Sequence, residues 1–201
     1  MNKNLVKAHP WHGINQPNDF PETVNAFIEI VPSDSVKFEI DKESGYLKVD
    51  RPQKYSNYIP ALYGFIPKTY FSTNVALFAS SKMKNSVLEG DKDPLDICVI
   101  TERIINSGNI IAPAIVIGGF RLIDKNEVDD KIIAVLKGDA VYGHINDITE
   151  LPINLVERLD HYFLTYKNLP GKPTSVIIES IYGRDEALQV IKASVHDYEK
   201  M

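Results

Sequence analysis

Apolar and polar positions alternate with a period of two from Val24 to Val49. Val36, Phe38 and Ile40 point one way and Lys37, Glu39 and Asp41 the other, the pattern of a half-buried strand. Glu43-Ser44-Gly45 reads as a turn and Tyr46–Val49 as the returning strand, which predicts a hairpin. Apolar, β-branched runs at Leu95–Thr101, Ile110–Phe120, Ile132–Leu136 and Ser175–Ile181 predict further strands. Two later segments change to a helical period. The first opens at Pro152, places Leu155, Leu159, Tyr162 and Tyr166 on one stripe, and stops before Pro170-Gly171. The second, Asp185–Lys200, carries Leu188, Ile191, Val195 and Tyr198. The first 22 residues hold three prolines and two histidines and predict an irregular arm. Residues 71–90, rich in Ser, Asn and Lys and closed by Gly90, predict a long loop excursion. Many short strands followed by two helices predict one α+β domain over residues 1–201, a barrel or strongly bent sheet with helices at its side.

A chain of 201 residues, 44% hydrophobic and 24% charged, can bury a core without a disulfide or structural metal. The formal charge of −5 disfavours a dedicated binder of nucleic acid or anionic membrane, which would need a basic surplus. The longest apolar stretch, Ile110–Phe120, is too short to span a bilayer and is broken by Pro113 and a glycine pair. Met1–Ile14 lacks the apolar core of a secretory leader. Cys98, alone in the chain and set in the apolar run Asp96–Ile100, is expected to be a buried, inert thiol. These features predict a cytoplasmic protein. His9 and His12 in His-Pro-Trp-His do not read as a metal pair, because Pro10 disfavours an intact helical turn and no further ligand stands nearby.

The densest chemistry lies in Gly90-Asp-Lys-Asp-Pro-Leu-Asp-Ile97, with three aspartates within six residues. Asp91 and Asp93 share a face of an extended chain, and Pro94 holds Asp93 extended. Asp96 opens a predicted strand. Such a cluster is either an ordinary acidic turn or a set of hard oxygen ligands for Mg²⁺, Ca²⁺ or Mn²⁺. An EF-hand loop is excluded, since Leu95 and Asp96 fall where a ligand and a glycine are required. A second acidic group, Asp124 to Lys131, sits between two predicted strands and reads equally as a solvated turn. A third, Glu29 with Lys37 and Glu39, reads equally as an outward strand face. Arg51, Tyr63, Tyr166 and Lys167 are candidate phosphate handles, each with a plain packing or surface explanation. No P-loop, no Gly-x-Ser-x-Gly elbow and no Cys-His pair is present.

Taken in order, Phe27-Ile-Glu-Ile30, Val36-Lys-Phe-Glu-Ile-Asp-Lys-Glu-Ser-Gly45, Val49-Asp-Arg51, Tyr63-Gly-Phe-Ile-Pro67, Asp91-Lys-Asp-Pro-Leu-Asp96, Asp124 to Lys131 and Tyr162-Phe-Leu-Thr-Tyr-Lys167 resemble the soluble inorganic pyrophosphatases of family I. The resemblance covers about residues 25–170, and Asp-x-Asp-Pro-x-Asp is the family's signature. His-Pro-Trp-His-Gly and the long excursion before Asp91 resemble the longer, chlamydial-like bacterial branch. The resemblance implies a five-stranded OB-type β-barrel with flanking α-helices, and Mg²⁺-dependent hydrolysis of pyrophosphate to two phosphates. It implies several Mg²⁺ per site, held by Asp91, Asp96, Asp129 and Asp124 with Glu29 and Glu39 in support. Asp93 would be the general base, and Lys37, Arg51, Tyr63, Lys131, Tyr166 and Lys167 would bind substrate. It also implies a homo-oligomer, with a hexamer favoured. Three positions depart from the common family pattern: Lys125, Ile59 and Lys92.

Charge supports the same chemistry independently. Seven carboxylates in the implied site face four cations, so a polyanion is repelled unless divalent ions enter before or with it. Two rival readings remain on the sequence alone: an oligonucleotide-binding module on the same kind of sheet, and an inactive scaffold that keeps the metal ligands.

Overall fold

The computed structural model describes residues 7–53, 56–83, 89–167, 171 and 176–201. In chain order the strands are β1 (Thr23–Ile30), β2 (Val36–Ile40), β3 (Leu47–Pro52), β4 (Leu62–Phe65), β5 (Glu89–Gly90), β6 (Asp96–Ile100), β7 (Ile110–Asp124), β8 (Glu127–Leu136) and β9 (Val176–Gly183). Helix α1 (Thr73–Lys82) precedes β5, a short 3-10 turn (Ile148–Glu150) and α2 (Ile153–Thr165) follow β8, and α3 (Arg184–Glu199) closes the chain.

The mixed α+β character stands, but the expected five-stranded OB-type barrel with flanking helices does not. Seven strands share one sheet in the order β5-β8-β6-β4-β1-β7-β9, and β8 also pairs with β7. Five of them, β1, β4, β6, β8 and β7, therefore form a ring, with β5 and β9 added at its sides. The cause is the length of β7. Its first residues pair with β1, Ile110 opposite Ile28, whereas the part beyond the irregularity at Val116/Gly118 lies between β8 and β9. The predicted hairpin forms as β2 and β3, but stands apart as its own two-stranded ribbon.

Strand alternation builds two cores on opposite sides of the sheet. Along β6, Ile97 and Val99 enter one core, while Cys98 and Ile100 enter the other. Both faces of β6 are covered, which explains its unbroken apolar run. The first core packs Ile28, Leu62 and Ile97 with Val75 and Ala79 of α1 and Val190 and Ile191 of α3. The second packs Ile59, Phe120 and Ile133 with Leu159 and Phe163 of α2. Arg121 and Asp130 point to the first side and are almost fully buried. Arg121 Nη2 donates to Asp130 Oδ2 at 2.9 Å, and Tyr182 Oη donates to the same oxygen at 3.0 Å.

Helix α1 stands where the sequence predicts only loop. Its buried face is Val75, Ala76 and Ala79, too small to signal a stripe. Its N-terminus is capped from far along the chain: the buried Asp197 carboxylate accepts the backbone N–H groups of Ser72, Asn74 and Val75 and the Asn74 side-chain amide. Residues 84–88 of that excursion, and the stop signal at Pro170, lie outside the described residues, as does Ser175 before β9. Tyr166 falls just beyond α2, as its C-terminal cap. Among the described residues no helix is long and apolar enough to cross a membrane.

Candidate active site

The parallel pairing of β6 with β8 sets Asp96 directly opposite Lys131. Asp129, two residues earlier on β8, shares the face of Lys131. The Lys131 ammonium donates to both Asp96 Oδ2 and Asp129 Oδ1, and Tyr63 Oη on β4 donates to the same Asp96 oxygen. Lys131 is 2% exposed. Burial opposes its charge, but Asp129 and Asp96 outweigh that cost and raise its pKa well above the ordinary lysine value.

Asp91 and Asp93 arrive on the turn before β6, where Lys92 takes a left-handed backbone (φ 63°). Asp93 N–H donates to Asp91 Oδ1 at 3.0 Å. Burial, then the charge of Asp129, pushes the Asp91 carboxyl up to about 8. Burial raises Asp96 as well, only partly relieved by Lys131. These are carboxylates with less positive charge than they need.

The ribbon supplies the cations. Lys37 and Arg51 are cross-strand partners on β2 and β3. Both reach the Asp50 carboxylate, at 3.1 and 2.5 Å. Lys42, in the ribbon's turn, forms an ion pair with Asp93. At the far wall Lys167 Nζ donates to Asp124 Oδ2 at 2.9 Å. The Tyr166 ring stacks on Tyr162 with centroids 5.2 Å apart.

Most of these groups line an open cavity of about 330 Å³. Eleven of the thirteen candidates line it: Lys37, Arg51, Tyr63, Asp91, Asp93, Asp96, Asp124, Asp129, Lys131, Tyr166 and Lys167. Glu29 and Glu39 line a smaller cavity of about 70 Å³ that shares Lys37, Tyr63, Asp93 and Asp96 with the first. Glu29 is buried, its Oε1 accepts Ile40 N–H at 2.6 Å, and burial followed by the Asp96 charge raises it to about 8. Among the described residues, no three acidic, histidine or cysteine groups converge closely enough to cage an ion as they stand; between Asp96 and Asp129 it is the Lys131 ammonium that mediates.

Sequence reasoning leaves out Asp50, Lys42, Gln53 and Glu127, which also belong here. Glu127 pairs across the turn with Asp124, and Asp50 adjoins Arg51, so local signals exist for both. Lys42 reaches Asp93 across 51 residues, and no local pattern announces that contact. Of the three departures from the family pattern, Lys92 and Lys125 have exposed side chains on left-handed turns, and Ile59 packs in the α2-side core.

Known proteins resemble this chain over most of its length. The sequence model described as inorganic pyrophosphatase matches residues 26–199. The inorganic pyrophosphatase of Chlamydia trachomatis serovar L2 is 50% identical over 199 residues, covering 96% of this chain and 95% of that protein. A soluble inorganic pyrophosphatase of Zea mays is 35% identical, covering 88% of this chain and 73% of its own length. Among solved structures, the inorganic pyrophosphatase of Thermus thermophilus superposes with a TM-score of 0.79 at 28% identity, over 96% of this chain and 99% of that one. With the signature acids gathered into one cavity and the family model spanning most of its length, the chain belongs to the inorganic pyrophosphatase family.

Proposed function

We propose that the cavity around Asp93 is where this chain carries out the family reaction, the Mg²⁺-dependent hydrolysis of pyrophosphate to two phosphates, with Asp93 as the general base. The observation that carries this reading is the convergence of eleven candidate residues, from segments as distant as Lys37 and Lys167, on one cavity of about 330 Å³. That volume is at the small end for ligand pockets and suits a compact anion with its ions.

The donor set fits a hard divalent cation. Carboxylate oxygens are the ligands Mg²⁺ prefers, and the raised Asp91 and Glu29 carboxyls mark places where ionisation lacks a counter-charge that a bound cation would supply in exchange for the proton. Asp91, Asp96, Asp129 and Asp124 would hold the ions, with Glu29 and Glu39 supporting them from the smaller cavity. When bound, Mg²⁺ supplies Lewis acidity, lowering the pKa of a water and offsetting phosphate charge.

The chain's own groups do the rest. Asp93 takes the proton of the attacking water, a role that needs hydrogen-bond reach more than high basicity. Lys37 and Arg51 turn from Asp50 toward phosphate oxygens, and a guanidinium can grip two oxygens at once. Lys131 exchanges a carboxylate partner for a phosphate oxygen, while Tyr63, Tyr166 and Lys167 hold the remaining ones. Fixed cations around the separating phosphates favour the transition state, in which charge builds on the leaving phosphate, over the ground state.

A colorimetric phosphate assay with pyrophosphate and Mg²⁺ tests the reading. Asp93→Asn is expected to lower kcat by about 10²–10⁴-fold, the usual value of general-base catalysis, with Mg²⁺ affinity little changed. Wild-type turnover in that variant would remove Asp93 from the base role.

We also propose that the chain self-associates, with a hexamer favoured. The exposed Ile177 and Ile181 on edge strand β9, and the exposed Ile104, support this by offering apolar surface. Monomer alone in light scattering would overturn it. The lone, buried Cys98 thiol supports a reducing, cytoplasmic setting.

A further inference from the structure

The arm before β1 takes no part in the chemistry above and lines neither cavity, yet it packs behind both of the segments that do. His9–Gly13 closes a single turn, with Gly13 N–H donating to the His9 carbonyl at 2.7 Å. Trp11, 4% exposed, shares a small core with Ile40 of β2, Phe27 of β1 and Phe65 of β4. Its indole N–H donates to the Thr69 carbonyl at 2.8 Å, and its own carbonyl accepts Lys68 N–H at 2.9 Å.

Thr69 leads directly to the acid loop, because its Oγ1 accepts Leu95 N–H at 2.9 Å. The neighbouring backbone continues the ladder. Ile66 N–H donates to Leu95 O at 2.9 Å, Phe71 N–H to Asp93 O at 2.8 Å, and Lys92 N–H to Phe71 O at 3.0 Å. The segment that Trp11 grips is thus the one against which Asp91–Asp96 is laid.

The other end of the turn meets the ribbon. The His9 ring lies so close to Gly45 that a Cβ there would stand 2.8 Å from His9 Cδ2. Gly45, at φ 72°, makes the β2–β3 turn. A two-stranded ribbon is marginal by itself, and this one pairs with no strand of the large sheet. Its seat comes from the Trp11 core, the Ile40–Glu29 hydrogen bond and the Lys42–Asp93 ion pair.

We propose that Trp11 and His9 are positioning residues, and that the arm is a strap fixing the separation between the ribbon, with Lys37 and Arg51, and the loop, with Asp91, Asp93 and Asp96. The inference rests on the reading of those two segments as the phosphate and metal halves of one site. Magnesium pyrophosphate touches both halves, whereas Mg²⁺ alone meets mainly the acids. A loosened strap therefore weakens substrate binding more than metal binding.

Steady-state kinetics, with Mg²⁺ titration calorimetry in the absence of pyrophosphate, test this on full-length Trp11→Phe, His9→Ala and the double variant. Trp11→Phe keeps an aromatic ring and loses the N–H; His9→Ala frees the ribbon turn. Each is expected to raise KM for magnesium pyrophosphate about 5- to 20-fold, given that roughly 1 Å of misplacement can cost 10²-fold. The Mg²⁺ dissociation constant should stay within about twofold, and the double variant should be no worse than the more severe single, because both ends belong to one strap. An unchanged KM with a lowered Tm, or Mg²⁺ affinity falling as far as KM rises, would overturn the proposal. Should Trp11→Phe fail to fold, His9→Ala carries the test from the ribbon end. Arg51→Ala is the control for the underlying reading. An unchanged KM there removes the ribbon's phosphate role and the strap with it, whereas a raised KM there with unchanged arm variants removes the strap alone.

Discussion

Glu29→Gln is expected to stabilise the metal-free protein, and to do so only at neutral and alkaline pH. Glu29 is 7% exposed, and burial with the nearby Asp96 charge raises its carboxyl pKa from 4.5 to about 8. Below pH 4.5 the group is protonated in both folded and unfolded chains and contributes nothing. Between 4.5 and about 8 the unfolded chain has released its proton and the folded one has not, so stability falls as pH rises. At about 1.4 kcal/mol per pH unit, the accumulated penalty above pH 8 is about 4–5 kcal/mol. Glutamine never ionises, its oxygen can keep the 2.6 Å bond from Ile40 N–H, and the adjoining cavity of about 70 Å³ leaves room for a water beside its amide. Urea unfolding in EDTA should therefore find the variant within about 1 kcal/mol of wild type at pH 5, the worth of one hydrogen bond. At pH 8.5 it should be about 3–5 kcal/mol more stable. Saturating Mg²⁺ should shrink that gain, because the bound cation offsets the carboxylate charge. A difference that is the same at both pH values, or a variant less stable at pH 8.5, would refute the reasoning.

Three other outcomes follow from the buried groups. Asp197→Ala strips three backbone N–H groups and the Asn74 amide of their acceptor. Chemical denaturation should show a loss of about 2–4 kcal/mol, and Asp197→Asn a smaller one. Arg121→Ala leaves Asp130 buried and uncompensated and should cost about 3–5 kcal/mol. Replacing both Arg121 and Asp130 by apolar residues should cost less than that single change, and a double variant worse than Arg121→Ala would contradict the account. Cys98 is fully buried and burial pushes its thiol up, so the native protein should resist thiol reagents until it is unfolded. Rapid labelling of the folded chain would count against this.

The parts of the fold that were legible in the sequence are those with local causes. The ribbon shows itself by alternation and by Gly45, and β6 by an apolar run buried on both faces. Helix α2 shows itself by its stripe. Helix α1 escapes because its inward residues are Val75, Ala76 and Ala79, and because the acid that caps it lies more than 120 residues away. The ring of strands escapes for a related reason. It depends on one strand, β7, being long enough to serve both β1 and β8, and on the parallel register of β6 with β8. The barrel that the family resemblance implies is not what forms, and no residue pattern in the chain marks the ring that does.

The acids were legible as a set because the signature crowds three of them into six residues, but their balance of charge was not. Parity along β8 explains the difference. Asp129 and Lys131 share the site face, whereas Asp130 faces Arg121 and the α3-side core. An acidic run that reads as one solvated turn is divided by the strand into a buried structural ion pair and one that faces the cavity. Lys131, between Asp96 and Asp129, is a cation the chain cannot release. It lets the fold bring two half-buried acids together without a metal. One ammonium does not offset all the charge there, since Asp91 still stands at about 8 and Glu29 rises to the same value. What remains is met by protons held on those carboxyls. Below about pH 8 those two carboxyls keep their protons in the metal-free fold, so divalent ions entering the proposed site compete with protons for them, and metal loading should strengthen as pH rises toward 8, a dependence that follows from where the strand places its charges.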